Sequence, residues 1–314
     1  GRFAQRSRNL RPAWLRLSTT PAKHRFINSA PMQRLFLSIG AMKAGTTWLY
    51  SLLESHPQIQ FTPEKEIHFL AANYIKPAFL SDAHRQKRAT TRLNNINQLR
   101  PERQEKIRRW YQEQYLNQVP SLEWYKNLFE APSKRHLWNT DFSNLSALID
   151  ADGWTRLHAE LKAEIRAIYI LREPCERLWS QFKFSRKITH DLDELALIGQ
   201  TKTFLSSRQV EQHSHYCRNL DAVRSGLGGD QVKVMFFDDI ANRPEHFLAS
   251  IEVFLDIASK NHSTNPNLHR AINTTTANTP PLSFRKLCAP IVEREVQGLR
   301  ERDINIPSVW MSDL

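Results

Sequence analysis

No run of 18 or more apolar residues occurs in the chain, so no helix is coded to cross a bilayer. Cysteine is scarce: Cys175, Cys217 and Cys288 stand far apart and form no C-x-x-C pair, which argues against a structural zinc site. So few cysteines fit a reducing compartment and a cytoplasmic location, with one disulfide left open. The Golgi lumen is the alternative if an N-terminal anchor has been removed. Acid is missing altogether from Gly1 to Arg34, which holds eight Lys or Arg. Residues 1–33 therefore read as a basic N-terminal arm, a transit peptide or the remnant of a stem. The formal net charge of +12 suits an anionic partner. No aromatic-basic RNA motif and no zinc-finger spacing accompanies it, so nucleic acid is not expected. Internal repeats and low-complexity blocks are absent too.

The 314 residues are 40% hydrophobic, enough for a sizeable core. "RLFLSI", Arg34 to Ile39, is a short apolar run that reads as a buried strand. From Gly45 the pattern turns helical, with Trp48, Leu49, Leu52 and Leu53 on one face, until "SHP" at Ser55 to Pro57 stops it. Strand character returns at Arg135–Ser143, Glu164–Glu173 and Gln231–Phe237, and "IQF" leads into a loop with a short strand. Helices are expected from Pro174, over Arg208–Leu227, over Pro244–Leu255 and over Ser283–Arg300. Ser81–Tyr115 is polar and basic and reads as surface helices and loops. Alternating strands and helices imply an α/β fold, three layers with a central parallel sheet flanked by helices. Residues 34–314 read as one domain with a polar helical insertion around 81–118.

"SIGAMKAGTTW", Ser38 to Trp48, joins the first strand to the first helix. Gly40 and Gly45 keep the spacing of the phosphate-binding pattern G-x-x-x-x-G-K-[ST], but Thr46 stands where its lysine belongs and Lys43 lies inside the loop. The first-turn amides at Thr46 and Thr47 can hold an anion, aided by the helix dipole. The strand from Ile165 ends in "LRE", so Arg172 occupies the place of the acid that supports magnesium in an ATPase. An arginine there repels a metal and attracts a second phosphate. The ligand so described is a nucleotide with phosphates at two separate places, bound without metal. A nucleotide kinase with a variant loop would need an acid at that strand end, and a non-catalytic nucleotide- or polyanion-binding module is a third reading.

"MKAGTTWLYSLLESHP" and "LREPCERLWSQF" resemble, in this order, the two nucleotide motifs of sulfotransferases that use 3′-phosphoadenosine 5′-phosphosulfate, PAPS. "EKEIHF", Glu64 to Phe69, is similar to the K-E-x-H-F stretch of the heparan-sulfate type and of related bacterial enzymes. The resemblance covers roughly residues 34–255 and more loosely the end at Trp310. It implies that Lys43, Ala44, Gly45, Thr46 and Thr47 hold the 5′-phosphosulfate and that Trp48 lies near the adenine. Arg172 and Ser180 would grip the 3′-phosphate. Glu66 would be the general base toward a hydroxyl-bearing acceptor, by analogy a carbohydrate, and PAP, adenosine 3′,5′-bisphosphate, the product. A tyrosine or small alcohol acceptor stays open.

Other readings stand beside these roles. Arg172 has ion-pair partners at hand in Glu173 and Glu176, Trp48 sits at a core position of its helix, and Glu66 in "PEKE" fits a solvated acid. His68 reads as a packed or hydrogen-bonded histidine. The run Arg100–Arg109 reads as a solvated helix face. The family's T-P-x-Y stretch is "TDFSNL" here, with Asp141 in place of the proline, which implies different acceptor contacts. Tyr216 in "SHYCRNL" matches an S-x-Y-x-x-x-L element and is expected to line the site. No K-G-R-type loop covers the nucleotide; Asn273–Asn278 or Arg285 are the stand-ins.

Overall fold

The computed structural model describes residues 32–129, 135–186, 193–270 and 279–311. The basic arm, up to residue 31, and the Asn273–Asn278 stretch lie outside the described residues. Among the described residues, five strands form one parallel sheet in the order β2-β3-β1-β4-β5: β1 (Arg34–Gly40), β2 (Ile59–Phe61), β3 (Trp138–Asp141), β4 (Glu164–Leu171) and β5 (Val232–Phe236). Every residue of β1 from Leu35 to Gly40 is buried. Successive side chains of a strand point to opposite faces, so both faces of the sheet are covered there. Leu37 pairs with Asp141 on one side and Ala167 on the other, which fixes the central register. Beyond β1 the chain crosses to β2 on one side and later reaches β4 on the other. The carboxyl end of β1 is therefore the switch point of the sheet, where open α/β folds bind ligands.

The flanking helices follow in chain order. After β1 comes α1 (Thr46–Leu53), and α2 (Phe69–Tyr74), α3 (Asp82–Asn94), α4 (Pro101–Trp110) and α5 (Leu122–Asn127) lie between β2 and β3. Then come α6 (Ala151–Leu161), α7 (Pro174–Arg186), α8 (Glu194–Leu205), α9 (Arg208–His213) and α10 (Tyr216–Leu227). The last are α11 (Phe237–Asn242), α12 (Pro244–Leu255) and α13 (Leu282–Arg300). One contiguous cluster of buried side chains runs from Met32 to Trp310. Helix α6, which has no counterpart in the sequence reading, starts at Asp150, whose carboxylate accepts from the Gly153 amide at 2.8 Å. It packs on α10 so closely that a Cβ on Gly226 would meet the Trp154 Cβ at 2.3 Å.

Three expectations need correction. Arg208–Leu227 is two helices, because the chain breaks at Ser214–His215. Ser214 Oγ accepts from the buried Arg177 Nη2 at 2.7 Å, and His215 leaves the helix at φ −94°, ψ 69°. Phe237 opens α11 instead of closing β5, since the chain turns helical immediately after the extended Phe236. The insertion is not a surface addition. It buries Arg85, Ala89, Leu93, Ile107, Trp110, Tyr111 and Tyr115, with Trp110 stacked on Tyr115 at 5.2 Å between ring centroids. The Trp110 indole also donates to the Leu128 carbonyl at 2.8 Å. Its polar face is exposed, as at Arg103 and Arg109, so Arg100–Arg109 does present a solvated side. Trp110→Ala is expected to cost about 3–5 kcal/mol in a denaturant titration. A loss below about 1 kcal/mol would mean that the insertion is peripheral to the fold.

Candidate active site

The loop after β1 passes through the left-handed region twice, at Lys43 (φ 68°) and Gly45 (φ 85°). A Cβ on Gly45 would meet Ile240 Cδ1 at 2.6 Å and Phe237 Cδ2 at 3.1 Å, so both backbone and packing require glycine. Gly45 caps α1 without a side chain, and no acid lies in the first turn, so that turn keeps amides without helical acceptors. Ala44 is buried in a turn in which its amide donates to the Ala41 carbonyl at 3.2 Å. Lys43 extends its ammonium over the exposed Phe184 ring, 4.4 Å from the centroid. Burial lowers its pKa, and the neighbouring Arg172 and Lys183 lower it further.

Between β2 and α2, the segment around Glu66 comes back to this loop. Lys65 Nζ donates to Thr46 Oγ1 at 3.3 Å, to Thr47 Oγ1 at 3.2 Å and to Glu66 Oε1 at 3.4 Å. Asn144, just beyond β3, donates from Nδ2 to the same Glu66 oxygen at 3.0 Å. His68 Nε2 lies 3.3 Å from Glu66 Oε2. Burial holds the His68 pKa down, to about 3, with Arg88 and Lys65 acting in the same direction, so the ring is neutral near pH 7. The insertion supports the segment from behind. Arg88 on α3 donates to the Glu66 carbonyl and to Glu64 Oε1, and Tyr111 donates to Glu64 Oε2 at 2.8 Å.

The third wall is the end of β4. Arg172 Nη1 donates to the Lys43 carbonyl at 3.4 Å and Nη2 to Glu176 Oε2 at 3.3 Å, and the guanidinium covers the Phe237 ring at 4.6 Å. Of the two acids beside it in sequence, Glu176 is therefore the partner. Glu173 instead caps α7, accepting from the amides of Cys175 at 3.0 Å and Glu176 at 2.6 Å. Arg285 on α13 approaches Glu176 Oε1 at 3.5 Å, which brings that stand-in to the same corner. Ser180 lies on α7 and is nearly buried. Uncapped amides, two threonine hydroxyls and the cations Lys43, Lys65, Arg172 and Lys183 suit a donor with several anionic groups.

The sulfotransferase family model matches residues 36–261, more than half of the chain. This protein belongs to the sulfotransferase family. Such enzymes depend on PAPS as sulfuryl donor. A sulfotransferase structure from Alicyclobacillus acidocaldarius shares the fold, with 18% identity, a TM-score of 0.58, and 90% of this chain and 99% of that one covered. The sulfotransferase domain of a Synechococcus olefin synthase aligns at 18% identity over 85% of this chain and 95% of that one, with a TM-score of 0.44. A mouse sulfotransferase complexed with PAP aligns at 12% identity over 88% and 86%, also with a TM-score of 0.44. No curated protein matches the chain in sequence.

In this sulfotransferase, then, Lys43, Gly45, Thr46, Thr47, Glu66, Arg172 and His68 gather at one edge of the sheet, with Ser180 on α7 beyond it. Three other sequence candidates are buried against the same elements. Trp48 is buried, donates its indole N–H to the carbonyls of Asn267 and Leu268 at 3.1 Å, and packs edge-on against Phe247; its surroundings are those of a core residue. Tyr216 is fully buried and stands behind the site, where its hydroxyl donates to the Arg172 carbonyl at 2.9 Å. Asp141 is buried and takes hydrogen bonds from Ser143 Oγ at 2.5 Å and Tyr125 OH at 3.1 Å. The sequence reading passed over Lys65 and Asn144, although both lie in stretches it had singled out. Their contacts are not marked locally, because their partners are distant in sequence.

Burial raises the Asp141 pKa from 3.8 to about 6, against the hydrogen bonds from Ser143 and Tyr125. The folded state thus holds its proton more tightly than the unfolded chain. The resulting contribution is complete below pH 3.8 and is lost as pH rises through about 6. Asp141→Asn should flatten the fall in stability between these pH values, a change on the order of 3 kcal/mol at most. Denaturant titrations of both proteins at pH 4, 5, 6 and 7 test this. Parallel pH profiles would show that Asp141 does not titrate in that window.

Proposed function

We propose that this sulfotransferase moves the sulfuryl group of PAPS to a hydroxyl of a carbohydrate, with Glu66 as general base. The observation that carries this reading is the contact between the Glu66 carboxylate and the loop's hydroxyls through Lys65, at 3.4 Å from the carboxylate and 3.2–3.3 Å from the threonines. A base for the acceptor proton is useful only next to the group being transferred. Thr46, Thr47 and Lys43 would hold the 5′ side of the donor, and Arg172 with Ser180 its 3′-phosphate. When bound, the donor supplies an activated sulfuryl group on a phosphate that leaves. The resemblance of "KEIHF" to the heparan-sulfate type supports a sugar acceptor. Transfer of labelled sulfate from PAPS to a panel of sugars, phenols and alcohols tests the acceptor, and label on phenols alone would overturn the carbohydrate assignment.

Occupancy of the two anion positions has its own test. PAP at 100 times its Kd should add about 2.7 kcal/mol of stability, read as a rise in Tm. ADP with magnesium lacks the 3′-phosphate and should do much less. Arg172→Ala should weaken PAP by roughly 1.5–3 kcal/mol in calorimetry and narrow its advantage over AMP. Equal stabilisation by PAP and ADP would remove Arg172 from the donor site.

Glu66→Gln keeps the size of the side chain and one acceptor oxygen but cannot take a proton. Sulfate transfer to the best acceptor of the panel should fall by about 10²–10⁴-fold, with PAP affinity nearly unchanged. Near-full activity of the variant would exclude Glu66 as the base.

A further inference from the structure

We propose that Asn144 is a positioning residue for the general base, fixing the Glu66 carboxylate beside the loop after β1. The inference rests on the reading of Glu66 as the base. Asn144 Nδ2 donates to Glu66 Oε1 at 3.0 Å, closer than the Lys65 ammonium at 3.4 Å on the same oxygen. The amide is buried, and its Oδ1 has no partner among the described residues. A buried carbonyl left without a donor costs stability, which an apolar side chain would avoid. The amide therefore answers to Glu66 and not to packing.

The turn that carries Asn144 mounts the Glu66 segment on the sheet. Thr140 Oγ1 ties β3 to β1, donating to the Phe36 carbonyl at 2.9 Å. Past the end of β3 a tight 3-10 turn covers Asn144–Leu148, and the Ser146 amide donates to the Ser143 carbonyl at 3.0 Å. This turn lies against the start of the loop after β1: a Cβ on Gly40 would stand 3.7 Å from the Asn144 carbonyl oxygen. The two residues after Glu66 are held on the same strand end. Asp141 accepts from the Ile67 amide, and Ser143 Oγ accepts from the His68 amide at 3.0 Å. Of the groups at the Glu66 carboxylate, Lys65 and His68 come from its own segment, and Asn144 comes from the sheet. Arg88 on α3 reaches only the Glu66 carbonyl, and Asp141 is near enough to feel the carboxylate charge. A base works only when held within a narrow range of the proton it takes, and a donor continuous with the sheet provides that hold.

The experiment measures kcat across pH with the best acceptor of the panel, and PAP affinity by calorimetry, with thermal melts to establish folding. The proteins are wild type, Asn144→Ala and Asn144→Asp, each also in the Glu66→Gln background. Asn144→Ala should lower kcat about tenfold or more and PAP affinity by no more than about twofold. The acidic limb of its kcat profile should move to higher pH, because a hydrogen bond to a carboxylate favours the ionised form. Asn144→Asp keeps the shape but sets a second carboxyl against Glu66, so the limb should move further. In the Glu66→Gln background Asn144→Ala should cost little more, since the base it holds is gone. A kcat of Asn144→Ala within about twofold of wild type overturns the proposal. So does an equal loss in both backgrounds with an unmoved limb, which would make Asn144 a structural residue. A parallel loss of PAP affinity would assign the turn to the donor and overturns it as well. If Asn144→Ala does not fold, Asn144→Asp decides by the same readouts, and failure of both to fold would make Asn144 a core residue and nothing more. Near-full activity of Glu66→Gln would overturn the base reading and this proposal with it, whereas an inactive Glu66→Gln beside an unaffected Asn144→Ala overturns this proposal only.

Discussion

The parallel ladder around β1 is the constraint on which the site depends. A parallel sheet places every carboxyl end at the same edge. With Leu37 held against Asp141 and Ala167, the loops after β1, β3 and β4 emerge side by side. Each then brings one polar group to that edge: the uncapped turn of α1, Asn144 beyond β3, and Arg172 beyond β4. Hydrophobic burial on both faces of β1 opposes any slip of that register, because a shift of one residue would exchange the faces of every side chain.

Charge at this edge is arranged in two layers. Lys43, Lys65, Arg172 and Lys183 lie around the loop after β1, and the acids nearby have separate partners. Glu176 pairs with Arg172 and Arg285, whereas Glu66 is held by Lys65 and Asn144. A phosphate at Arg172 would have to share the guanidinium with Glu176 or displace it. Tyr216 fixes the backbone of Arg172 from within the core, so the guanidinium is positioned from below as well as beside the loop. Glu173 caps α7 with its own carboxylate, which takes two amides of that helix start and leaves recognition there to side chains.

The insertion between β2 and β3 gives the Glu66 segment its second support. Glu64 is held by Arg88 and Tyr111, and the Glu66 carbonyl by Arg88. The aromatic packing of Trp110, Tyr111, Tyr115 and Trp124 ties these helices together behind the segment. Stability of the insertion and placement of the candidate base are therefore linked through a few hydrogen bonds.

The sequence by itself determined what depends on local chemistry. Apolar runs marked β1 and β4, the glycine at 45 and the two threonines marked a phosphate-binding helix start, and the order of two motifs marked the family. These signals are legible because a strand, a helix start or a tight loop is set by adjacent residues. Only the tertiary structure decided which polar side chains meet. Lys65 was legible only as the first residue of the K-E-x-H-F stretch, with no partner assigned, until the chain brought it back 18 residues after Thr47 to bond that hydroxyl. Asn144 reaches Glu66 across 78 residues, and Trp48 is drawn into the core by carbonyls more than 200 residues away. The polar insertion concealed a buried aromatic cluster because its apolar residues are few and spaced among charges. The break at Ser214 follows from a buried arginine 37 residues earlier. Contacts of this kind are set by the sheet order and the register of β1, which no local stretch of the chain encodes.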